Sequence, residues 1–288
     1  MKAKFNLLFF FSVLLLANCR NSEENIVAQN KSEPASFYSY LGFFQRKQHG
    51  EFMVESYSGM WGEKGGGTQF LRGFFTDRHN RVKGGKVTFG NYVLSPEVEG
   101  NDEGVDQYGY QLTRTANGGS ERHAARALFG KTMAIRLEVP DAKAVARGEG
   151  YTTLTDSLYV PMEIEAVAPV RVEGDSATFV IQEGFNLRWN VDHRNMKGVI
   201  IYLQYAPDDP FNYKLKDTHP KAEHKVITVK DVPEGYVFKN SDLSDFPNQG
   251  MVTIRLGRAN YVTLKNGDKN YNVAAFTMCH GIYIVKVK

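Results

Sequence analysis

The most chemically distinctive stretch of the sequence is Tyr57-Ser58-Gly59-Met60-Trp61-Gly62, which runs into a charged, glycine-rich segment ending at Gly65-Gly66-Gly67. A tryptophan in such a setting is suited to stacking on a sugar ring or to anchoring an apolar patch of a protein. Tyr38, Tyr40, Phe43 and Phe44 add aromatic area nearby. Arg72, Arg78, Arg81, Lys83 and Lys86 add positive charge of the kind that attracts anionic polymers. Trp61, Tyr57 and Arg72 are therefore the candidate ligand-binding residues. The competing reading is that these aromatics, with Phe74, Phe75 and Phe89, fill the core of a small sheet. Trp189, in the alternating stretch Phe185–Asn190, reads as a core residue.

Catalytic patterns are missing where they would be informative. There is no G-x-S-x-G nucleophile elbow, and none of the glycine clusters matches a phosphate-binding loop between a strand and a helix. Ser36, Ser39, Ser56 and Ser58 show no triad pattern, and serines beside Tyr or Gly, as the last three are, are common. Glu163 and Glu165 share one strand parity, which suits two solvated side chains as well as a glycosidase pair; a pair must flank a substrate, and spacing along one strand does not establish that. No H-E-x-x-H is present, and His219 and His224 are five residues apart across Pro220. A zinc site joining them to Cys279-His280 is weaker than the reading of loop histidines and one core thiol. Asn101-Asp102-Glu103 with Asp106, and Asp208-Asp209 with Asp217, offer oxygen ligands but not EF-hand spacing, so solvated turns are the default. No metal or cofactor is expected.

The composition agrees with a folded globular chain. The chain has 288 residues, 42% of them apolar, and 36 Phe, Tyr and Trp residues together. That excludes a disordered or collagen-like chain. Lys plus Arg number 35 against 32 for Asp plus Glu, which argues against a dedicated nucleic-acid binder. Two cysteines cannot make a disulfide framework or a four-thiolate zinc site.

The elements that must position the candidates are strands. Thr132–Val139 alternates, with Arg136 and Glu138 on one parity and Ile135, Leu137 and Val139 on the other, as a strand with one wet face requires. Similar runs are expected at Phe37–Gln45, Glu51–Tyr57, Thr68–Phe75, Lys86–Phe89 and Tyr108–Arg114, with one short helix over Glu121–Phe129. A second series comprises Leu158–Ala168, Ala177–Ile181, Phe185–Trp189, Val199–Tyr205, Lys225–Lys230, Tyr236–Phe238, Met251–Leu256, Tyr261–Leu264, Tyr271–Phe276 and Ile282–Val287, with Tyr151–Val160 as its lead-in. Asn266-Gly267 signals a hairpin. The expected fold class is mainly β, with a β-rich binding domain over residues 35–147 and a β-sandwich over 148–288.

The N-terminus carries a targeting pattern. Lys2 and Lys4 precede the apolar run Leu7–Leu16, which is too short to span a membrane. Leu16-Ala17-Asn18-Cys19 resembles a bacterial lipobox, with Asn18 where Gly, Ala or Ser is usual. The resemblance implies a signal peptide over residues 1–18 and lipidation of Cys19. Arg20-Asn21-Ser22-Glu23-Glu24 resembles the acidic export signals of some Bacteroidota surface lipoproteins, and residues 19–34 read as a polar tether. Ala177–Lys288 resembles the immunoglobulin-like or fibronectin type III-like domains of bacterial surface proteins, with Trp189 in the core and without the Cys…Trp…Cys signature of antibody domains. Together these readings give the expectation of a noncatalytic lipoprotein of the cell envelope, membrane-anchored through its lipid at the outer-membrane surface or periplasmic face. Its partner would be a glycan or an extracellular protein. An extracellular glycan-processing enzyme and a structural subunit of a surface assembly are the alternatives.

Overall fold

The computed structural model describes residues 49–59, 68–77, 80–99, 107–112, 121–140, 150–169, 179–205, 212 and 224–286. The expected signal peptide, Cys19, the expected tether and the Phe37–Gln45 run lie outside them, as does Trp61. The described chain is mainly β. In the first half the strands are β1 (Gly50–Gly59), β2 (Thr68–Asp77), β3 (Asn80–Val82), β4 (Val87–Phe89), β5 (Tyr92–Glu99), β6 (Gln107–Leu112), β7 (Lys131–Pro140) and β8 (Tyr151–Val160). They are followed by β9 (Ala166–Ala168), β10 (Phe179–Ile181), β11 (Asn186–Trp189), β12 (Val199–Tyr205), β13 (His224–Val229), β14 (Tyr236–Val237), β15 (Met251–Asn266) and β16 (Lys269–Val285).

Among the described residues thirteen strands make one sheet, whose main path runs β13-β12-β15-β16-β1-β2-β6-β5-β4-β7-β8; β14-β11-β9 make a second, smaller sheet. β1 lies parallel to β16 along ten residues and antiparallel to β2. The large sheet curls, so that its last strand returns toward β15, where Asn260 Nδ2 donates to the Tyr159 carbonyl at 3.1 Å. Alternation in β7 is realised as expected: Ile135, Leu137 and Val139 are buried, while Arg136 is exposed.

Two cores result. The first is enclosed by the curled sheet and centred on Phe52, Phe75 and Tyr110, whose rings meet edge to face at 4.9–6.2 Å. Such pairs add about 0.5–1.5 kcal/mol each beyond their burial. Gly73 makes room for this packing, since a Cβ there would stand 2.2 Å from the Phe52 ring. The second core lies between β10, β12, β13, β15 and β16 on one side and Leu187 and Trp189 of β11 with Tyr236 of β14 on the other. Trp189 is buried there as expected. The one-turn α1 (Asn240–Leu243) adds Leu243.

Several expectations are corrected. Met251–Leu256 and Tyr261–Leu264 are one strand, β15, and Tyr271–Phe276 belongs to one strand, β16, with Ile282–Val285, the part of the last expected strand that is extended among the described residues. These long strands serve both cores. On the inner face of β15, Val252, Ile254 and Leu256 belong to the second core and Leu264 to the first; Arg258 and Asn260 lie between them. All the described residues lie within one compact unit. Tyr151–Val160, read as the lead-in to the second region, pairs along its length with β7 and gives Leu158 and Val160 to the first core. The expected helix is a 3-10 helix, Glu121–Leu128, which buries Ala125 and Leu128, one 3-10 turn apart. β5, which the sequence reading does not include, carries Pro96 in its middle. That residue pairs with Tyr110 of β6, and β4 on the other side has already ended at Tyr92–Leu94, so no second ladder needs its missing N–H.

Candidate functional site

β1 and β2 share an outer face, opposite to the first core, on which alternate residues Met53, Glu55 and Tyr57 lie beside Phe70, Arg72 and Phe74. The register places Glu55 opposite Phe70 and Met53 opposite Arg72. Glu55 is only 1% exposed. Its carboxylate accepts two bonds from Arg72, from Nε at 2.8 Å and Nη2 at 3.2 Å, and one from the Tyr57 hydroxyl at 2.5 Å. This two-pronged contact is the geometry in which a guanidinium holds a carboxylate best. Burial, and then the Glu55 charge, push the Tyr57 phenol well above its ordinary range, so it stays a donor at any physiological pH. Tyr57 meets Phe70 at 6.3 Å and Phe276 at 5.9 Å, and the Arg72 guanidinium lies 5.8 Å from the Phe70 ring centre. Phe70 is 44% exposed.

Two of the three sequence-predicted binding residues, Tyr57 and Arg72, thus meet on one face, through a residue the sequence reading did not single out. Glu55 could have been found by parity: it alternates with Tyr57 in a strand whose other face is Phe52 and Val54. Trp61 lies outside the described residues, in the connection from β1 to β2. Of the other basic residues, Arg81 stacks over Phe74 at 4.5 Å, and Lys86 is exposed.

The same face continues across β16 and β15 to β12 and β13, where a second group was not foreseen. Arg255 Nη1 donates to Gln204 Oε1 at 2.6 Å and lies 5.6 Å from the Tyr202 ring; His224 stacks on Tyr202 at 5.8 Å. Burial lowers the Arg255 pKa. His280 is opposite Arg255 in register, on this outer face, whereas Cys279 points inward and is buried. Adjacent strand residues face opposite ways, so this Cys-His pair cannot converge on one zinc ion. Burial pushes the Cys279 thiol up to about 12, which makes it a poor nucleophile. His219 and both acidic calcium candidates, 101–106 and 208–217, lie outside the described residues. No group of three or more metal-ligating side chains is present among the described residues.

Between the two cores runs a polar seam. Asp231 and Arg258 form a buried ion pair, with Nε to Oδ2 at 2.7 Å and Nη2 to Oδ1 at 3.0 Å. Trp189 Nε1 and Asn195 Nδ2 also donate to Asp231, and Arg258 reaches the carbonyls of Asn190 and Met162. Glu163, expected in a strand with Glu165 and facing water, instead lies in the strandless segment 161–165. It accepts bonds from Ser56 Oγ at 2.6 Å, Gln69 Nε2 at 2.6 Å and Arg126 Nε at 3.0 Å. Asn190 clamps this segment through the Glu163 carbonyl and the Glu165 N–H. Ser56 is 2% exposed. A serine buried against a carboxylate, with no imidazole among its hydrogen-bond partners, is not an activated nucleophile; the seam holds the cores together. Compared with known protein families, curated proteins and solved structures, the chain matches none.

Proposed function

We propose that this protein is a noncatalytic, lipid-anchored component of a bacterial cell envelope that binds a glycan or an extracellular protein through the outer face of β1 and β2. The observation that carries this reading is the exposed Phe70 beside Arg72 and Tyr57, both held by the buried Glu55. Aromatic faces and fixed hydrogen-bonding groups together suit sugar rings and protein anchors alike. Trp61 would extend this surface from the β1–β2 connection. The second core, layered about Trp189, serves as an immunoglobulin-like support, and acylated Cys19 supplies the anchor, since each buried methylene contributes about 0.8 kcal/mol.

Two measurements test the reading. Intact mass after membrane extraction should show a chain beginning at an acylated Cys19; an unmodified N-terminus further along rejects the anchor. A glycan and matrix-protein binding screen, run beside hydrolysis assays, should give saturable binding that Trp61→Ala and Arg72→Gln each weaken while the far-UV spectrum is unchanged. Turnover of a glycan by the pure protein would overturn the noncatalytic claim, and self-association without ligand binding would favour a structural subunit instead.

A further inference from the structure

At the other end of β1 and β2 the curled sheet opens in a cavity of about 220 Å³. It is lined by His49, Phe75, Thr76, Val82, Lys83, Pro140, Lys269 and Tyr271. The chain brings these residues together from the start of β1, the end of β2, β3 and the residue after it, the end of β7, and the β15–β16 hairpin. That hairpin turns through the two residues Gly267 and Asp268, with Gly267 at φ +62°, and sets Lys269 opposite Asn266 at its tip. Mouths of curled sheets are a common place for small-ligand sites.

The lining has two parts. Phe75 and Tyr271, each 1% exposed and 6.0 Å apart, make an apolar floor with Val82 and Pro140. Lys83 and Lys269 make a cationic rim with His49 beside them, and no carboxylate is among the described residues that line the cavity. Among the described residues neither lysine has an ion-pair partner. His49 is fixed in place: its N–H donates to the Asn270 carbonyl at 2.8 Å, and its Nδ1 accepts the Asn270 N–H at 3.3 Å. A neutral ring so placed carries its proton on Nε2 and remains a donor. Two unpaired ammonium groups beside an apolar floor are complementary to an anion with an apolar body. At about 30 Å³ per water the volume equals about seven waters, enough for one ring and too small for an oligomer.

We infer that this mouth is a binding site for a small organic carboxylate, its ring or apolar body on Phe75, Val82, Pro140 and Tyr271 and its charge on Lys83 and Lys269. The site is separate from the β1–β2 outer face and does not depend on the reading of that face. The test uses the full chain with benzoate, benzamide and acetate as probes, followed by ligand-detected NMR. Benzoate should bind saturably, with benzamide (same shape, no charge) and acetate (same charge, no ring) each at least about 10-fold weaker. The K83Q/K269Q variant should lose benzoate binding by at least about 10-fold with an unchanged near-UV spectrum. Benzamide binding as well as benzoate, acetate binding as well as benzoate, or benzoate binding undiminished in K83Q/K269Q would each overturn the assignment.

Discussion

The back of β1 and the seam between the cores handle buried polarity in different ways. The seam has a buried carboxylate, Asp231, and sets a fully buried guanidinium, Arg258, against it with two hydrogen bonds. On the back of β1, Glu55 is answered in the same manner by Arg72, but Glu51, four residues earlier, is not. Burial raises Glu51 from the ordinary 4.5 to about 7, and Arg81 opposes this only in part. The difference teaches where each region can be broken: the second by removing a charge, the first by adding one.

The largest effect is therefore expected at the seam. Arg258→Met leaves Asp231 buried without its counter-charge, which costs about 3–5 kcal/mol in comparable cases. Replacing both partners by apolar residues of similar volume should recover most of that loss. Urea unfolding of the single and double variants measures this. A single variant as stable as the parent would mean that the seam adds nothing to the joint between the cores.

Glu51 should give the next largest effect, and its sign is fixed by the direction of its shift. A carboxyl whose pKa is higher folded than unfolded keeps its proton in the native state through the window between the two values. Stability is then full below about 4.5, falls as pH rises to about 7, and stays lower above it. The loss is at most of the order of 3 kcal/mol. Glu51→Gln should flatten this slope and stabilise the protein at pH 8 while changing little at pH 4. Urea midpoints at the two pH values give the comparison, and parallel profiles for parent and variant would contradict it.

The same contrast explains what was legible in the sequence. Strands with a dry face and a wet face, such as β7, could be read from alternation. So could β1, β2 and the burial of Trp189, whereas β12 was legible as an apolar run and is buried on both faces. What defeated the reading was the seam. Along the inner face of β15 the order is Leu256, Arg258, Asn260, Val262, Leu264, and a charged residue and an amide in the middle of an apolar stripe look like the end of one strand and the start of the next. The cause lies about 27 residues away in Asp231, and pairing across that distance leaves no mark in local spacing. For Glu163, a two-residue spacing suggested a strand, but the bonds from Ser56 and Gln69 come from residues about 100 positions earlier. Tyr57 and Arg72 were legible as candidates by type, while their convergence on Glu55 required the β1–β2 register.

A smaller effect should come from the first core's tolerance of close approach. Gly84 donates its N–H to the Tyr110 hydroxyl at 2.8 Å, and a Cβ there would stand 2.2 Å from the Phe75 ring. Gly84→Ala must displace a ring that is packed on three sides, an overpacking expected to cost about 1–3 kcal/mol. Thermal unfolding of the variant would show a lowered midpoint; an unchanged midpoint would mean that the Phe75 ring has room to move.

The smallest expected effect is a difference of zero, and it tests how closely the two cores are joined. Cys279 is fully buried in the second core, and β16 continues from it through Thr277 to Ala275, Val273 and Tyr271 of the first. A thiol reagent reaches Cys279 only when the second core opens. If the regions were separable, that opening would have its own, lower free energy, and labelling would proceed faster than global unfolding allows. Because β15 and β16 run unbroken through both cores, opening the second withdraws the strands that hold Leu264, Tyr271 and Val273 in the first. The free energy from labelling of Cys279 across low urea concentrations should therefore equal that from global unfolding followed by tyrosine fluorescence. Labelling that reports a clearly lower value, with the aromatic centre around Phe52 still folded, would show that residues 148–288 open as a domain of their own.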